Sequence, residues 1–451
     1  MHAPLTLALL PLISLTLANP LPQAADAPVT IANADLSAAN TVPNSYIIVY
    51  KPTADDGQIK KYHGEILAKL GKKPAAEFNI NGWKASNVIT DAAGLAKVGK
   101  SGLIDYIEKD SYISVSPSTN DTQVKSGPSA QSLVQQPDAT WGLGRISHKL
   151  RGYWNYIYDT TKCQNTRVYI LDTGILIGHS EFGGRAVWGA NFISGSPRVL
   201  ANTRKNTDEN GHGTHCAGTV AGASVGVCKK GTVVAVKVLN KAGSGSYSGI
   251  IAGMQWGTSD SDSSSPHFPS SYLHPLQTLI PIPALNDAYA RGMQKRSVFS
   301  MSIGGPLSSS VNSAVASVVS YGIPVVVAAG NENLNAASFS PASAPNAITV
   351  AASDYYDARA SFSNYGTGVD IFAPGVSILS SWYSCTTCYY YLSGTSMATP
   401  HVAGLAAYLI AKEGLTTPKG VADRIISLST KNKITDTKGV PNRLAYNGNG
   451  Y

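Results

Sequence analysis

Three near-continuous apolar runs constrain this chain more than any other feature: Val168-Tyr169-Ile170-Leu171, Val233-Val234-Ala235-Val236-Lys237-Val238 and Pro324-Val325-Val326-Val327-Ala328. A strand with one wet face alternates apolar and polar residues, whereas a strand apolar at almost every step must be covered on both faces. Helical stretches separate the runs, so the expected body is α/β, with a doubly wound, mostly parallel sheet. Reactive residues in such sheets collect at the carboxyl ends of the strands. A chain of 451 residues with 43 glycines and 14% charged residues has room for that body and a smaller companion domain.

The companion is expected at residues 45–115. Tyr46-Ile47-Ile48-Val49-Tyr50 reads as a strand, residues 58–70 as a helix and residues 80–88 as a second apolar segment. A short helix at 92–97 and a strand at 103–107 complete a small ferredoxin-like α+β unit of split βαβ order. Residues 116–136 are polar and are expected to form an exposed linker open to cleavage. At the N-terminus, the apolar run 5–17 is too short to cross a bilayer, and Thr16-Leu17-Ala18 has the small residues a signal peptidase reads. A signal peptide over residues 1–18 and secretion to the extracellular space follow, with no membrane helix elsewhere.

The net charge is +8, and residues 1–133 contribute none of it: they hold 11 Lys, no Arg and 11 acidic residues. The excess lies on the main body without a basic run of nucleic-acid-binding length, so no nucleic-acid partner is expected. Export permits disulfides among Cys163, Cys216, Cys228, Cys385 and Cys388, although the odd count leaves one thiol over. Cys385-Thr-Thr-Cys388 has no second such pair or neighbouring His, which favours a loop disulfide or two unpaired thiols over zinc.

Asp172 ends the first apolar strand, in Ile170-Leu171-Asp172-Thr173-Gly174. His212 stands in Asn210-Gly211-His212-Gly213-Thr214-His215-Cys216-Ala217-Gly218, where glycines admit close approach and small residues continue a buried helix; His215 suits a structural place there. Ser396, in Ser393-Gly394-Thr395-Ser396-Met397-Ala398-Thr399-Pro400-His401-Val402-Ala403-Gly404, sits where a tight turn feeds a helix and backbone N–H groups point outward towards an oxyanion. Together they suit nucleophilic catalysis: Ser396 attacks a carbonyl, His212 takes its proton, and Asp172 fixes the imidazole tautomer.

The order Asp, His, Ser and the wording of these motifs resemble the subtilase family of serine proteases, most closely its fungal proteinase K branch, over residues 141–445. Residues 45–115 resemble that family's inhibitory propeptide. The resemblance implies a secreted, broad-specificity serine endopeptidase, made as a self-processed zymogen with residues 19–133 as propeptide and 134–451 as a monomeric peptidase domain. Its partners would be protein and peptide substrates and its own propeptide. Asn331 matches the family's oxyanion-hole asparagine. Gly243, Ser244 and Gly245, with Ser302, Ile303, Gly304 and Gly305, match the two edges that bracket a substrate, and Tyr247 would border a distal apolar pocket. Asp354 matches a calcium ligand, joined by the carbonyls of Pro345 and Ala347; the chemistry itself requires no cofactor. Cys216 matches a buried free thiol beside the catalytic His. The branch's usual disulfide partners are largely absent, so no bridge is assigned.

A non-catalytic binding protein on this fold is disfavoured by the presence of all three triad residues and Asn331. Residues 257–283 fit nothing around them: five prolines follow an apolar stripe through Ile251, Met254 and Trp256 that would continue at Leu285 and Ala288 if they were removed. They read as a long surface loop or, preferably, as a translated in-frame intron.

Overall fold

The computed structural model describes residues 31–115, 123–124, 134–160, 163–193, 207–258 and 293–450. The expected signal peptide, most of the polar linker and everything in the 257–283 insertion beyond Thr258 lie outside these residues.

The N-terminal unit is a sheet of β1 (Thr41–Tyr50), β2 (Ala76–Ile80), β3 (Trp83–Ile89) and β4 (Ile104–Ser114), with α1 (Asp56–Leu70) and α2 (Ala92–Val98). The strand order is β4-β1-β3-β2, all antiparallel. Helix α1 starts two residues earlier than the apolar pattern indicates because Asp55 and Gln58 form a capping box. The largest departure is β4, expected over 103–107 but continuing to Ser114 through Glu108, Asp110 and Ser111. Glu108 and Asp110 find partners there in the larger domain, at Ser308–Ser310 and Ser248. Central β1 is apolar at consecutive positions for a physical reason. Ile48 and Tyr50 face α1 and α2, whereas Ile47 and Val49 face the peptidase-side helices Tyr247–Thr258 and Ser309–Ser320.

The larger domain is built on a nine-stranded sheet. Its order is Thr430–Lys431, Arg443–Leu444, Ile371–Pro374, Ile348–Ser353, Val325–Ala328, Ser297–Met301, Arg167–Asp172, Thr232–Lys237, Ala186–Asn191. All pairings are parallel except that of Thr430–Lys431 with Arg443–Leu444. Helices His212–Ala221 and Thr395–Glu413 pack into the core on one face, and Tyr247–Thr258 and Ser309–Ser320 into that on the other. The doubly wound architecture read from the apolar runs is therefore present. Val134–Gln136 pairs with Tyr156–Tyr158, so the last residues of the expected linker belong to this domain.

Two disulfides are present: Cys385–Cys388 is the loop bridge that was one of the two readings favoured for that pair, whereas Cys163–Cys228 corrects the sequence reading, which assigned no such bridge. Cys163 and Cys228 are 65 residues apart, and only folding brings their Cα atoms within 5.6 Å. Cys216 is the buried free thiol.

Candidate active site

Asp172 closes the strand Arg167–Asp172, and Val238 and Leu239 N–H both donate to its backbone carbonyl. Its carboxylate is fully buried and receives the His212 Nδ1–H, 2.9 Å from each oxygen. His212 is the first residue of the helix His212–Ala221, and side chains satisfy the orphan amides of that first turn. His212 N donates to Asn210 Oδ1, Gly213 N to Thr173 Oγ1 and Thr214 N to Asp208 Oδ2. Gly211, just before the helix, has φ +106°, and a Cβ there would lie 2.5 Å from the Trp382 ring.

Burial, the largest single influence, opposes the charged form of His212, but the neighbouring Asp172 and Cys216 together outweigh it and raise the imidazole above its ordinary range. Its Nε2 is buried without a hydrogen-bond partner. Asp172, His212 and Cys216 bring their ligand atoms within 4.8 Å of one another. That cluster does not read as a metal centre, because Nδ1 is committed to Asp172 and burial pushes the Cys216 thiol up, keeping it protonated. His215 holds two backbone carbonyls, those of Ile378 and Tyr390, and burial lowers it to about 3, which is the structural place expected of it.

Ser396 lies one residue into the helix Thr395–Glu413. Its Oγ donates to Ser302 O (3.1 Å), while Ser302 Oγ donates to Ser396 O (2.9 Å), tying the helix start to one cleft edge. Asn331 Oδ1 accepts from Thr395 N (2.8 Å) and Thr395 Oγ1 (2.9 Å), so its carboxamide is oriented by the residue preceding Ser396. The three motifs thus meet at the carboxyl end of the sheet.

The two expected substrate edges face each other, and β4 runs between them. Ser244, Gly245 and Ser246 pair antiparallel with Ser114, Ile113 and Tyr112. On the other side, Ser114 and Gly304 exchange N–H···O bonds of 3.2 Å, and Val115 N donates to Gly243 O (3.0 Å). Ile113 is buried in one apolar cluster with Tyr247, Leu239 and Ile303. The sequence reading did not anticipate two carboxylates just upstream. Glu108 receives Ser309 N (2.8 Å), Ser310 N (3.3 Å) and Ser308 Oγ (2.7 Å) at the start of the helix Ser309–Ser320. Asp110 receives Ser248 N (3.1 Å) and Ser248 Oγ (2.6 Å) at the start of the helix Tyr247–Thr258. Their spacing of two in a strand puts both on one face, which is the only local signal they carry.

The expected calcium set does not come together. Ala347 and Asp354 flank the strand Ile348–Ser353 at opposite ends, separated by roughly 20 Å of extended chain. The Asp354 carboxylate instead closes its own turn, accepting from Tyr356 N and Ala358 N. The carboxylate that the fold brings to the Ala347 end is Asp370, whose Oδ2 accepts from Thr349 N (2.8 Å).

Residues 164–450 match the family model described as Peptidase S8, subtilase family. Over 419 residues the chain is 43% identical to "Subtilisin-like protease 2" of Pseudogymnoascus destructans, covering 92% of this chain and 91% of that one. It is 44% identical over 346 residues to a "Cuticle-degrading protease" of Metarhizium anisopliae, covering 76% of each chain. Among solved structures it is similar to a cold-adapted subtilisin-like serine proteinase, with a TM-score of 0.57 and 38% identity over 69% of this chain and 98% of that one.

Proposed function

Because this chain belongs to the subtilase family and is a serine endopeptidase, we propose that it is secreted, cleaves proteins and peptides with broad specificity through Asp172, His212 and Ser396, and is made as a self-processed zymogen. The observation that carries this reading is the extended segment at residues 112–115, held between two backbone edges beside the buried Asp172–His212 pair.

In the proposed cycle the Ser396 hydroxyl leaves Ser302 O and turns to His212 Nε2, the buried ring nitrogen that has no other partner. Nε2 takes the proton as Oγ adds to the substrate carbonyl, and Asp172 stabilises the resulting imidazolium. Asn331, oriented by Thr395, and the Ser396 N–H donate to the oxyanion. His212 then protonates the departing amine, and a water repeats the sequence on the acyl-enzyme, restoring Ser396. Only side chains, backbone amides and water take part.

Broad specificity follows from recognition by main chain. Gly243–Gly245 on one side and Gly304 on the other pair with backbone, which every peptide has, and the apolar cluster around Tyr247 favours an aliphatic residue where Ile113 now sits. The same contacts make residues 112–115 an intramolecular inhibitor.

The test is to express Ser396→Ala in a protease-deficient secreting host beside the parent. The parent is expected to shed its N-terminal unit, cleave casein and react with a fluorophosphonate, and the variant to be secreted as an unprocessed, unlabelled precursor. Casein cleavage by the variant would rule Ser396 out as the nucleophile, and normal maturation alone would rule out self-processing.

A further inference from the structure

Asp208 is a buried carboxylate to which the proposed cycle gives no task. It is 3% exposed and accepts five hydrogen bonds. Oδ1 receives Thr173 Oγ1 (2.9 Å), Asn210 N (3.0 Å) and Gly211 N (2.8 Å). Oδ2 receives Thr214 N (2.9 Å) and Thr214 Oγ1 (2.7 Å). Thr173 follows Asp172, and Thr214 lies two residues beyond His212, so this one side chain joins the end of the Asp172 strand to the first turn of the His212 helix. Thr173 strengthens the joint, because its Oγ1 donates to Asp208 while accepting from Gly213 N. Asn210, oriented by Asp208, accepts the His212 N–H.

A buried anion needs a counter-charge. Lys237 stands opposite Asp172 in the parallel register, is 2% exposed, and donates its ammonium to the Thr173 carbonyl. Burial lowers its pKa, against the pull of Asp208, Glu209 and Asp172.

We propose that Asp208 is a positioning residue for the reaction: with Lys237 as its counter-charge, it fixes the His212 helix on the Asp172 strand and sets the field in which the imidazole takes up its proton. The proposal rests on His212 being the general base. The other groups around the imidazole are Asp172 from the neighbouring strand, Cys216 and His215 from its own helix, and Ser396 from the helix opposite. Of these only Asp172 is charged, since burial keeps the Cys216 thiol and the His215 ring neutral. Asp208, exposed Glu209 and Lys237 are therefore the next charges to act on it.

The signs of the two charges give the test. A nearby anion favours imidazolium and a nearby cation disfavours it. Asp208→Asn is expected to move the midpoint of the acid limb of kcat/KM down by about half a pH unit, and Lys237→Met to move it up by a similar amount. Lys237→Arg, which keeps the charge, should retain the parental midpoint. Rates are normalised to fluorophosphonate-titrated sites, and melting temperature is followed for each variant. A purely structural joint would lower activity and stability without moving the limbs in opposite directions. Unchanged midpoints, or shifts of the same sign, overturn the proposal. If Asp208→Asn does not fold, an unmoved limb in Lys237→Met does so alone. A parent that resists fluorophosphonate would instead sink the general-base reading, and this proposal with it.

Discussion

Two pairs of helices begin around the cleft, and they satisfy their first amides in opposite ways. On the floor, the His212 and Ser396 helices are held by the domain's own side chains: Asn210, Thr173 and Asp208 for one, Asn331 for the other. On the rim, the helices starting at Tyr247 and Ser309 receive Asp110 and Glu108 from the N-terminal unit. An aligned helix start carries a partial positive charge and wants an anion. If the N-terminal unit departs as proposed, the floor keeps its partners, the Asp208 carboxylate among them, whereas the rim loses both of its buried carboxylates. On the proposed reading, the difference separates a permanent catalytic frame from a removable inhibitory contact.

A substitution on the floor should break catalysis and spare inhibition. Asn331→Leu is expected to lower kcat by roughly 100- to 1000-fold with little change in KM or in affinity for added propeptide, because its hydrogen bond strengthens only as charge develops. A matching rise in KM with kcat intact would remove Asn331 from the oxyanion role. A substitution on the rim should do the reverse. Glu108→Ala in propeptide added in trans should weaken inhibition of mature enzyme by about 10- to 100-fold, leaving two helix amides and a hydroxyl without their acceptor, and Asp110→Ala should have a smaller effect with fewer bonds to lose. Equal inhibition by variant and parent propeptides would mean that the edge pairing of residues 112–115 suffices. The smallest effect is expected away from both regions. Asp354→Ala should leave any response of the melting temperature to a calcium chelator as it is in the parent, and loss of that response would restore Asp354 as a ligand.

Much of this was legible because strand ends and helix starts leave local marks. Asp172 after an apolar run, and His212 and Ser396 before small-residue helices, sit at positions where sequence pattern and reactive geometry coincide. Glu108 and Asp110 left no such mark, because a carboxylate in a strand looks like a solvated residue until its partners arrive from residues 248 and 308–310. The same polar content hid the second half of β4. The bridge Cys163–Cys228 was illegible because its halves come from separate segments, and Asp354 was misassigned because motif likeness does not register that a whole strand lies between it and Ala347. Asp208 could have been found: a carboxylate four residues before His212, at a helix start, is a capping signature.

The two-sided burial of β1 sets a lifetime on the N-terminal unit. Ile48 and Tyr50 carry their own cover in α1 and α2, but Ile47, Val49, Phe78, Ile80 and Ala85 pack into a core shared with the larger domain. Off the enzyme that second face meets water, and a unit this small has little stability to set against the exposure. Loosened chain is what a protease with backbone-reading edges digests best. If the unit is shed as proposed, each release exposes it to the active site it had covered, and activation then proceeds in one direction.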